Sequence, residues 1–156
     1  MVEGELLVLG SCRLFTSAFP QLVTLTWKNE EMKYADHLFS IPPFPPTLRS
    51  LTYVGPWHGL IAPVNNLTSF FLENDSGPRG TSAEAVRLFM LNNQSLESLK
   101  LKYIDFVGYP KGPPVQLSNL KSLSVGLASK GLSTIIRVPA FNRLSILRIS
   151  PSDTST

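Results

Sequence analysis

Cysteine is almost absent from this 156-residue sequence, in which Cys12 stands alone. A single cysteine excludes an internal disulfide framework, and within an apolar stretch it is more often a small core residue than a reactive thiol. Charged residues are also scarce, at 16% of the chain against a usual share of about a quarter. Because apolar residues make up 43%, the composition indicates a chain that folds over most of its length.

The sequence also lacks a long apolar run, and none approaches the roughly 20 residues that cross a bilayer. The short apolar run at 6–9 follows Glu3 and Glu5, whereas a secretory signal starts with positive charge and has a longer apolar core. We therefore predict an intracellular protein, cytoplasmic or nuclear, with no membrane partner. The net charge of +3 is not gathered in a basic tract with interleaved aromatic residues, which predicts no nucleic-acid partner.

Residues arranged for chemistry are missing as well. His37 and His58 have no metal-ligand spacing to Cys, Asp or Glu, which is typical of ordinary surface or turn histidines. The sequence contains no Walker loop, no dinucleotide-binding fingerprint and no nucleophile elbow. We therefore predict that the protein is not an enzyme and that it holds neither a cofactor nor a metal ion.

What the sequence does contain is a repeated pattern, Leu-x-x-Leu/Phe-x-apolar, in six copies. The copies start 26, 19, 29, 24 and 24 residues apart, within or next to the period of roughly 20–29 residues that leucine-rich repeats show. Ser or Thr precedes the middle residue in five copies, and in five an apolar residue or Pro lies three positions ahead of the leading Leu. A set of unrelated amphipathic strands is the alternative explanation. The framework residues are Leu22, Leu25 and Trp27; Leu48, Leu51 and Tyr53; Leu67, Phe70 and Leu72; Leu96, Leu99 and Leu101; Leu120, Leu123 and Val125; and Leu144, Leu147 and Ile149.

The spacing of these framework residues predicts the fold. The middle and last residues of each copy lie two positions apart, so they point to the same face of one strand. A single strand cannot bury this face, but the next copy covers it, and stacking aligns the strands in one parallel sheet. We therefore predict an α/β fold, an irregular leucine-rich-repeat solenoid with about six short parallel strands and mostly non-helical or short-helix returns. The strands are predicted near 22–28, 48–54, 67–73, 96–102, 120–126 and 144–150, and the core from the framework residues other than Tyr53, Val125 and Ile149.

The returns between the predicted strands are uneven. A helix is predicted over 81–92, with Thr81 and Glu84 as a capping box and an apolar stripe of Val86, Phe89 and Met90 facing the core. The four prolines within 41–46 exclude a helix and predict an extended return, with docking onto an SH3-type groove as the alternative. We divide the chain into an N-terminal lead-in at 1–17, which could derive from a preceding repeat, a solenoid fragment at 18–150 and a frayed polar tail at 151–156.

Three of the copies are similar to repeats of fungal F-box proteins that carry leucine-rich repeats. They are NQSLESLKL at 93–101, LSNLKSLSV at 117–125 and VPAFNRLSILRI at 138–149, and the resemblance covers about residues 18 to 150. It implies that an N-terminal F-box joins the protein to a cullin-type ubiquitin ligase, while the repeats capture the protein to be tagged. No F-box is visible, and the Asn or Cys that many leucine-rich repeats place nine positions into the motif is missing. We therefore expect the ligase role only as part of a longer protein, and an irregular solenoid.

The candidate site is the outward face of the predicted sheet, where a protein partner of unknown identity would bind. Phe71 is its apolar anchor, because exposed aromatic residues are enriched at binding hot spots. Lys100, Lys102 and Arg148 add positive charge, which favours an acidic partner. A face that is merely solvated is the alternative for each residue, and a truncated repeat remnant without independent function is the alternative for the protein.

Self-association is the second interaction that the sequence predicts. Solenoids need polar capping repeats at their ends, and neither end of this chain supplies an obvious one. Trp27 and Ile149 lie in the terminal copies, so we expect them to leave apolar surface uncovered.

Overall fold

A computed structural model of the chain describes residues 21–28, 44–55, 57, 64–74, 80–126, 131–138 and 146–150, with the backbone alone for Lys28 and 146–150. These residues form ten strands and two helices in an α/β arrangement. The strands are β1 Thr24–Lys28, β2 Ser50–Val54, β3 Ser69–Glu73, β4 Thr81–Ser82, β5 Ser98–Lys102, β6 Phe106–Val107, β7 Val115–Gln116, β8 Ser122–Gly126, β9 Ile136–Arg137 and β10 Ile146–Ser150. The helices are α1 Ala83–Asn92 and α2 Leu132–Ile135.

The main sheet has six strands in the order β1-β2-β3-β5-β8-β10, and every neighbouring pair is parallel. The strands therefore follow one another across the sheet in the order of the chain, and each coincides with one copy of the repeated pattern. The prediction of six short parallel strands is confirmed, and each begins two residues later than predicted. Two small parallel pairs, β4 with β6 and β7 with β9, join the returns.

Four strands of the main sheet, β2, β3, β5 and β8, begin with the same pair of backbone hydrogen bonds. At β2, the amides of Arg49 and Ser50 both donate to the carbonyl of Val23, at 2.8 and 3.0 Å. Strands β3, β5 and β8 begin in the same way: two successive amides donate to the carbonyl of the residue just before the preceding strand. The donor pairs are Thr68 and Ser69 to Arg49, Glu97 and Ser98 to Thr68, and Lys121 and Ser122 to Glu97. The repeated sequence thus gives a repeated backbone geometry, which keeps the strands in register.

The inward side chains of the sheet form the core. The framework residues from Leu25 to Leu123 are buried, including Tyr53, which the predicted core left out. Leu22, which was predicted as core, is only partly buried against this cluster, as is Val125. Leu144 and Leu147, also predicted as core, lie outside the residues whose side chains are described. Trp57 was not predicted to be buried, yet it fills the space between sheet and helix. Its ring meets Tyr53 and Phe89 edge-on, with centroids 5.2 Å apart in each case.

The expectation of an uncovered apolar surface at Trp27 is wrong. The side chain is only 8% exposed. The ring of Phe44, from the return before β2, lies 6.1 Å away in an edge-to-face contact, and the ring of Tyr53 lies 6.3 Å away on the other strand. The return therefore covers the residue that the sequence placed at an open end. Ile149, expected to be uncovered at the other end, has no described side chain.

The N-cap of helix α1 lies one residue after the predicted capping residue, Thr81, and the helix begins at Ala83. The hydroxyl of Ser82 accepts a hydrogen bond from the amide of Ala85 at 3.3 Å, which makes Ser82 the N-cap. Thr81 cannot serve because it is buried in β4, where its hydroxyl accepts from the side chain of Asn74. The capping-box prediction is therefore wrong, although the apolar stripe of the helix is buried as predicted.

One buried amide side chain closes the turn before β3. In three copies the amide of the leading Leu donates to the carbonyl three residues earlier, as Leu48 does to Pro45 at 3.0 Å. Before β3, Asn66 has a left-handed backbone with φ 67°. In this turn the amide of Leu67 donates to the carboxamide of Asn93 instead of to a backbone carbonyl. The carboxamide oxygen accepts from the amide of Leu67 at 3.1 Å, and the carboxamide nitrogen donates to the carbonyls of Val64 at 2.7 Å and Phe89 at 2.9 Å. Asn93 thereby ties the turn to the end of α1.

Candidate partner-binding face

The outward residues of the main sheet line up in rows that cross the strands. The strand pairings place equivalent residues of successive copies opposite one another, as the sequence predicted. Along β2, β3 and β5 the inward residues are buried and the outward residues are half-buried or exposed. One row consists of Thr24, Ser50, Ser69, Ser98, Ser122 and Ile146. The central row consists of Thr26, Thr52, Phe71, Lys100, Ser124 and Arg148.

Phe71 and Lys100 are direct partners across β3 and β5. The ammonium nitrogen of Lys100 lies 4.6 Å from the centroid of the Phe71 ring, which is a cation–π contact. Lys100 is exposed and Phe71 is half-buried. Within the part of the chain that the structure describes, Lys100 takes part in no salt bridge. Its positive charge is therefore presented to solvent beside an aromatic ring.

Lys102 lies two residues further along β5 and is held by two neighbours. Its ammonium nitrogen is 2.7 Å from a carboxylate oxygen of Glu73, its partner across the strands. The same nitrogen is 4.7 Å from the centroid of the Tyr103 ring. The repeated pattern places Glu73 and Lys102 at equivalent positions of neighbouring copies, and the structure pairs them. Glu73 balances part of the positive charge of Lys102, so Lys100 is the stronger cationic position.

Arg148 is separated from these lysines. Its backbone pairs with Ser124, and Ser124 in turn pairs with Lys100. Adjacent strands lie about 4.8 Å apart, so two strand spacings put the backbones of Arg148 and Lys100 about 10 Å from each other. The Arg148 side chain lies outside the described residues. The structure therefore brings three of the four predicted site residues together and places the backbone of the fourth in the same row.

Tyr103 belongs to the same surface, and the sequence did not indicate it. Its side chain is 47% exposed, and its backbone has φ 56°, in the left-handed region that residues other than glycine rarely adopt. This conformation turns the chain at the end of β5. Tyr103 lies two residues after Leu101, the last framework residue of its copy. The repeated pattern specifies no residue type at this position, so the sequence carried no signal for it.

A carboxyl group with a shifted pKa lies away from this face, on helix α1. Hydrogen bonds from the Arg87 side chain, at 2.8 Å, and from the backbone amide of Lys111 lower the pKa of Glu84 to about 2. The hydrogen bond to Glu84 also raises the pKa of Arg87. The guanidinium of Arg87 lies directly beneath Gly112, where an added Cβ would come within 2.9 Å of it. The cluster fastens the 111–112 turn to the helix, which is a structural role.

No family model, curated protein or solved structure matches this chain. Among the described residues there is no group of three or more His, Cys, Asp or Glu side chains that could hold a metal ion. No helix in the described ranges is long and apolar enough to cross a membrane.

Proposed function

We propose that this protein is a non-catalytic protein–protein interaction module, an irregular leucine-rich-repeat solenoid that binds its partner on the outward face of the main sheet. The supporting observation is the register of the parallel strands. It places one outward residue of each copy in a row and brings Phe71 and Lys100 into contact at the centre of that row. The aromatic ring offers apolar contact area to a partner, and the solvent-exposed cation attracts a partner of opposite charge.

A narrower form of the proposal is that the repeats recognise substrates for an F-box-type ubiquitin ligase adaptor. It rests on the similarity of three copies to repeats of fungal F-box proteins. An F-box coded in the same transcript would support this narrower role. Without one, the general proposal of a binding module is unaffected, because the binding face is formed by the repeats themselves.

A pull-down from lysate of the native cells tests the general proposal. The immobilised parent protein is compared with Phe71→Ala, with Lys100→Glu and with Arg137→Glu, a charge-matched control at an exposed position of β9. We expect the first two variants to lose the protein that the parent and the control retain, while their melting temperatures stay close to the parent's. Equal recovery by all four proteins would place the binding site elsewhere, on the loops. Failure of the parent to retain any protein would favour a remnant without independent function.

A further inference from the structure

We infer that the partner presents an extended acidic segment, and that this segment binds across one continuous surface that includes Tyr103. The surface consists of Phe71, Glu73, Lys100, Lys102 and Tyr103, and we call it the lysine–aromatic surface. This inference deepens the proposed function and rests on it. It adds a binding residue that lies beyond the strands and specifies the chemistry of the partner.

Contacts between its members show that the surface is continuous. Phe71 and Glu73 occupy the same face of β3, and their partners Lys100 and Lys102 occupy the same face of β5. Lys100 reaches across to the Phe71 ring, and Lys102 reaches both the Glu73 carboxylate and the Tyr103 ring. Each lysine therefore lies against an aromatic ring, and the two lysine–aromatic pairs follow one another along β5.

The turn after β5 explains the left-handed backbone at position 103, but it does not explain why a tyrosine occupies that position. A left-handed backbone strains any residue with a Cβ, and glycine would adopt it without that strain. Burial of the ring does not compensate for the strain, because nearly half of the side chain is exposed to solvent. What the tyrosine ring does provide is an aromatic surface over the Lys102 ammonium group. A strained position that displays an aromatic ring beside a cation is typical of a binding site.

The charge of the surface selects an acidic partner. Lys100 is exposed and forms no salt bridge with another described residue. Its ammonium group can therefore form an ion pair with a carboxylate of another molecule. Glu73 opposes this attraction at Lys102, because a second carboxylate must compete with it there. Lys100 and Lys102 lie two residues apart on one strand, about 7 Å along its axis. Carboxylates at alternate positions of an extended peptide have the same separation, which identifies an extended acidic segment as the matching ligand.

Fluorescence anisotropy with defined peptides tests the inference. The acidic probe is a labelled dodecapeptide in which Glu alternates with Ser, and the matched probes carry Gln or Lys in place of Glu. At low salt we expect the acidic probe to bind at least about fivefold more tightly than the Gln probe, and the Lys probe to bind most weakly. We expect the advantage of the acidic probe to shrink as salt is added, because both lysines are solvent-accessible.

Variants of the parent protein locate the binding site on the lysine–aromatic surface. Tyr103→Gly should weaken the acidic probe by about threefold or more while the melting temperature stays the same or rises, since glycine relieves the backbone strain. Tyr103→Phe retains the ring and should bind like the parent. Lys100→Gln should also weaken the probe, whereas Glu73→Gln should strengthen it by removing a competing carboxylate. Tyr109→Ala and Arg137→Gln are the controls: they remove an exposed ring and an exposed cation that lie outside the surface.

Two results would overturn the inference: equal binding of the acidic and Gln probes, or unchanged binding by Tyr103→Gly. These results are distinguishable from failure of the proposed function. If the acidic probe fails while Phe71→Ala still loses the cellular partner, the binding face stands and the acidic partner is wrong. If Phe71→Ala and Lys100→Glu also retain the cellular partner, the proposed face is wrong as well.

Discussion

For the replacement of Asn93 with leucine, the sequence pattern and the structure predict opposite effects on the stability of the protein. Asn93 lies three positions before a leading Leu, and the same position in other copies holds apolar residues such as Val64 and Leu117. The pattern alone would therefore predict that Asn93→Leu is harmless or stabilising. The structure predicts the opposite, because the carboxamide makes three hydrogen bonds in a site with 0% exposure.

The magnitude follows from the groups that lose their partners. The Leu67 amide would be left without its acceptor, and an unsatisfied buried group costs about 1–3 kcal/mol. The carbonyls of Val64 and Phe89 would each lose a donor, at about 1 kcal/mol apiece for a lost hydrogen bond. Burial of the leucine side chain would return about 1.5–3 kcal/mol. We therefore expect a net loss of about 2 kcal/mol in the free energy of unfolding.

Urea denaturation of the parent, Asn93→Leu and Asn92→Leu measures this loss. Asn92 is the last residue of α1 and is exposed, so Asn92→Leu makes the same chemical change one position away and should leave stability within about 0.5 kcal/mol. Asn93→Asp adds a further comparison, because it keeps the acceptor for Leu67 but loses both donated bonds. If Asn93→Leu is as stable as Asn92→Leu, the hydrogen bonds of Asn93 do not hold the turn before β3.

Three further predictions concern the core, the helix and the ends of the sheet. Leu99→Ala should lower the free energy of unfolding by about 2–5 kcal/mol, because Leu99 is 1% exposed between two neighbouring strands, and a loss below about 1 kcal/mol would contradict this burial. The stabilisation by Glu84 should be present above pH 4.5 and lost as the pH falls from 4.5 towards 2, so the stability difference between the parent and Glu84→Gln should disappear over that interval. Self-association through the ends of the sheet stays a prediction, and a monomer at high concentration in light scattering would contradict it.

The sequence predicted the main sheet because the physics of a strand repeats every two residues. The pair Leu51 and Tyr53 and the pair Leu99 and Leu101 each point inward from one strand, and the structure buries all four. The strand starts were placed two residues early because the leading Leu is buried before the strand pairing begins, as at Leu48, Leu67, Leu96 and Leu120. Periodicity identifies which side chains face the core, but it does not show where the backbone begins to pair.

Features set by contacts of the returns could not be predicted. Thr81 and Ser82 are both good helix caps, and the choice between them depends on the hydrogen bond that Thr81 accepts from Asn74, which lies seven residues earlier in the same return. The burial of Trp27 depends on Phe44, from a proline-rich return that no periodicity describes. For the binding face, the row of Phe71 and Lys100 followed from strand alternation. The neighbouring Tyr103 did not, because its left-handed backbone leaves no pattern in the sequence.

Because the strands of the main sheet follow the order of the chain, the returns between them can differ in length at little entropic cost. Each strand pairs with the strands of the copies immediately before and after it, so every pairing closes a chain segment of similar length, between 19 and 29 residues. The entropy of closing a loop grows only with the logarithm of its length, and this range of lengths changes the cost by about 0.4 kcal/mol. Lengthening one return by several residues therefore adds little to the entropic cost of closing that segment. The uneven spacing of the copies is the variation that such an architecture tolerates.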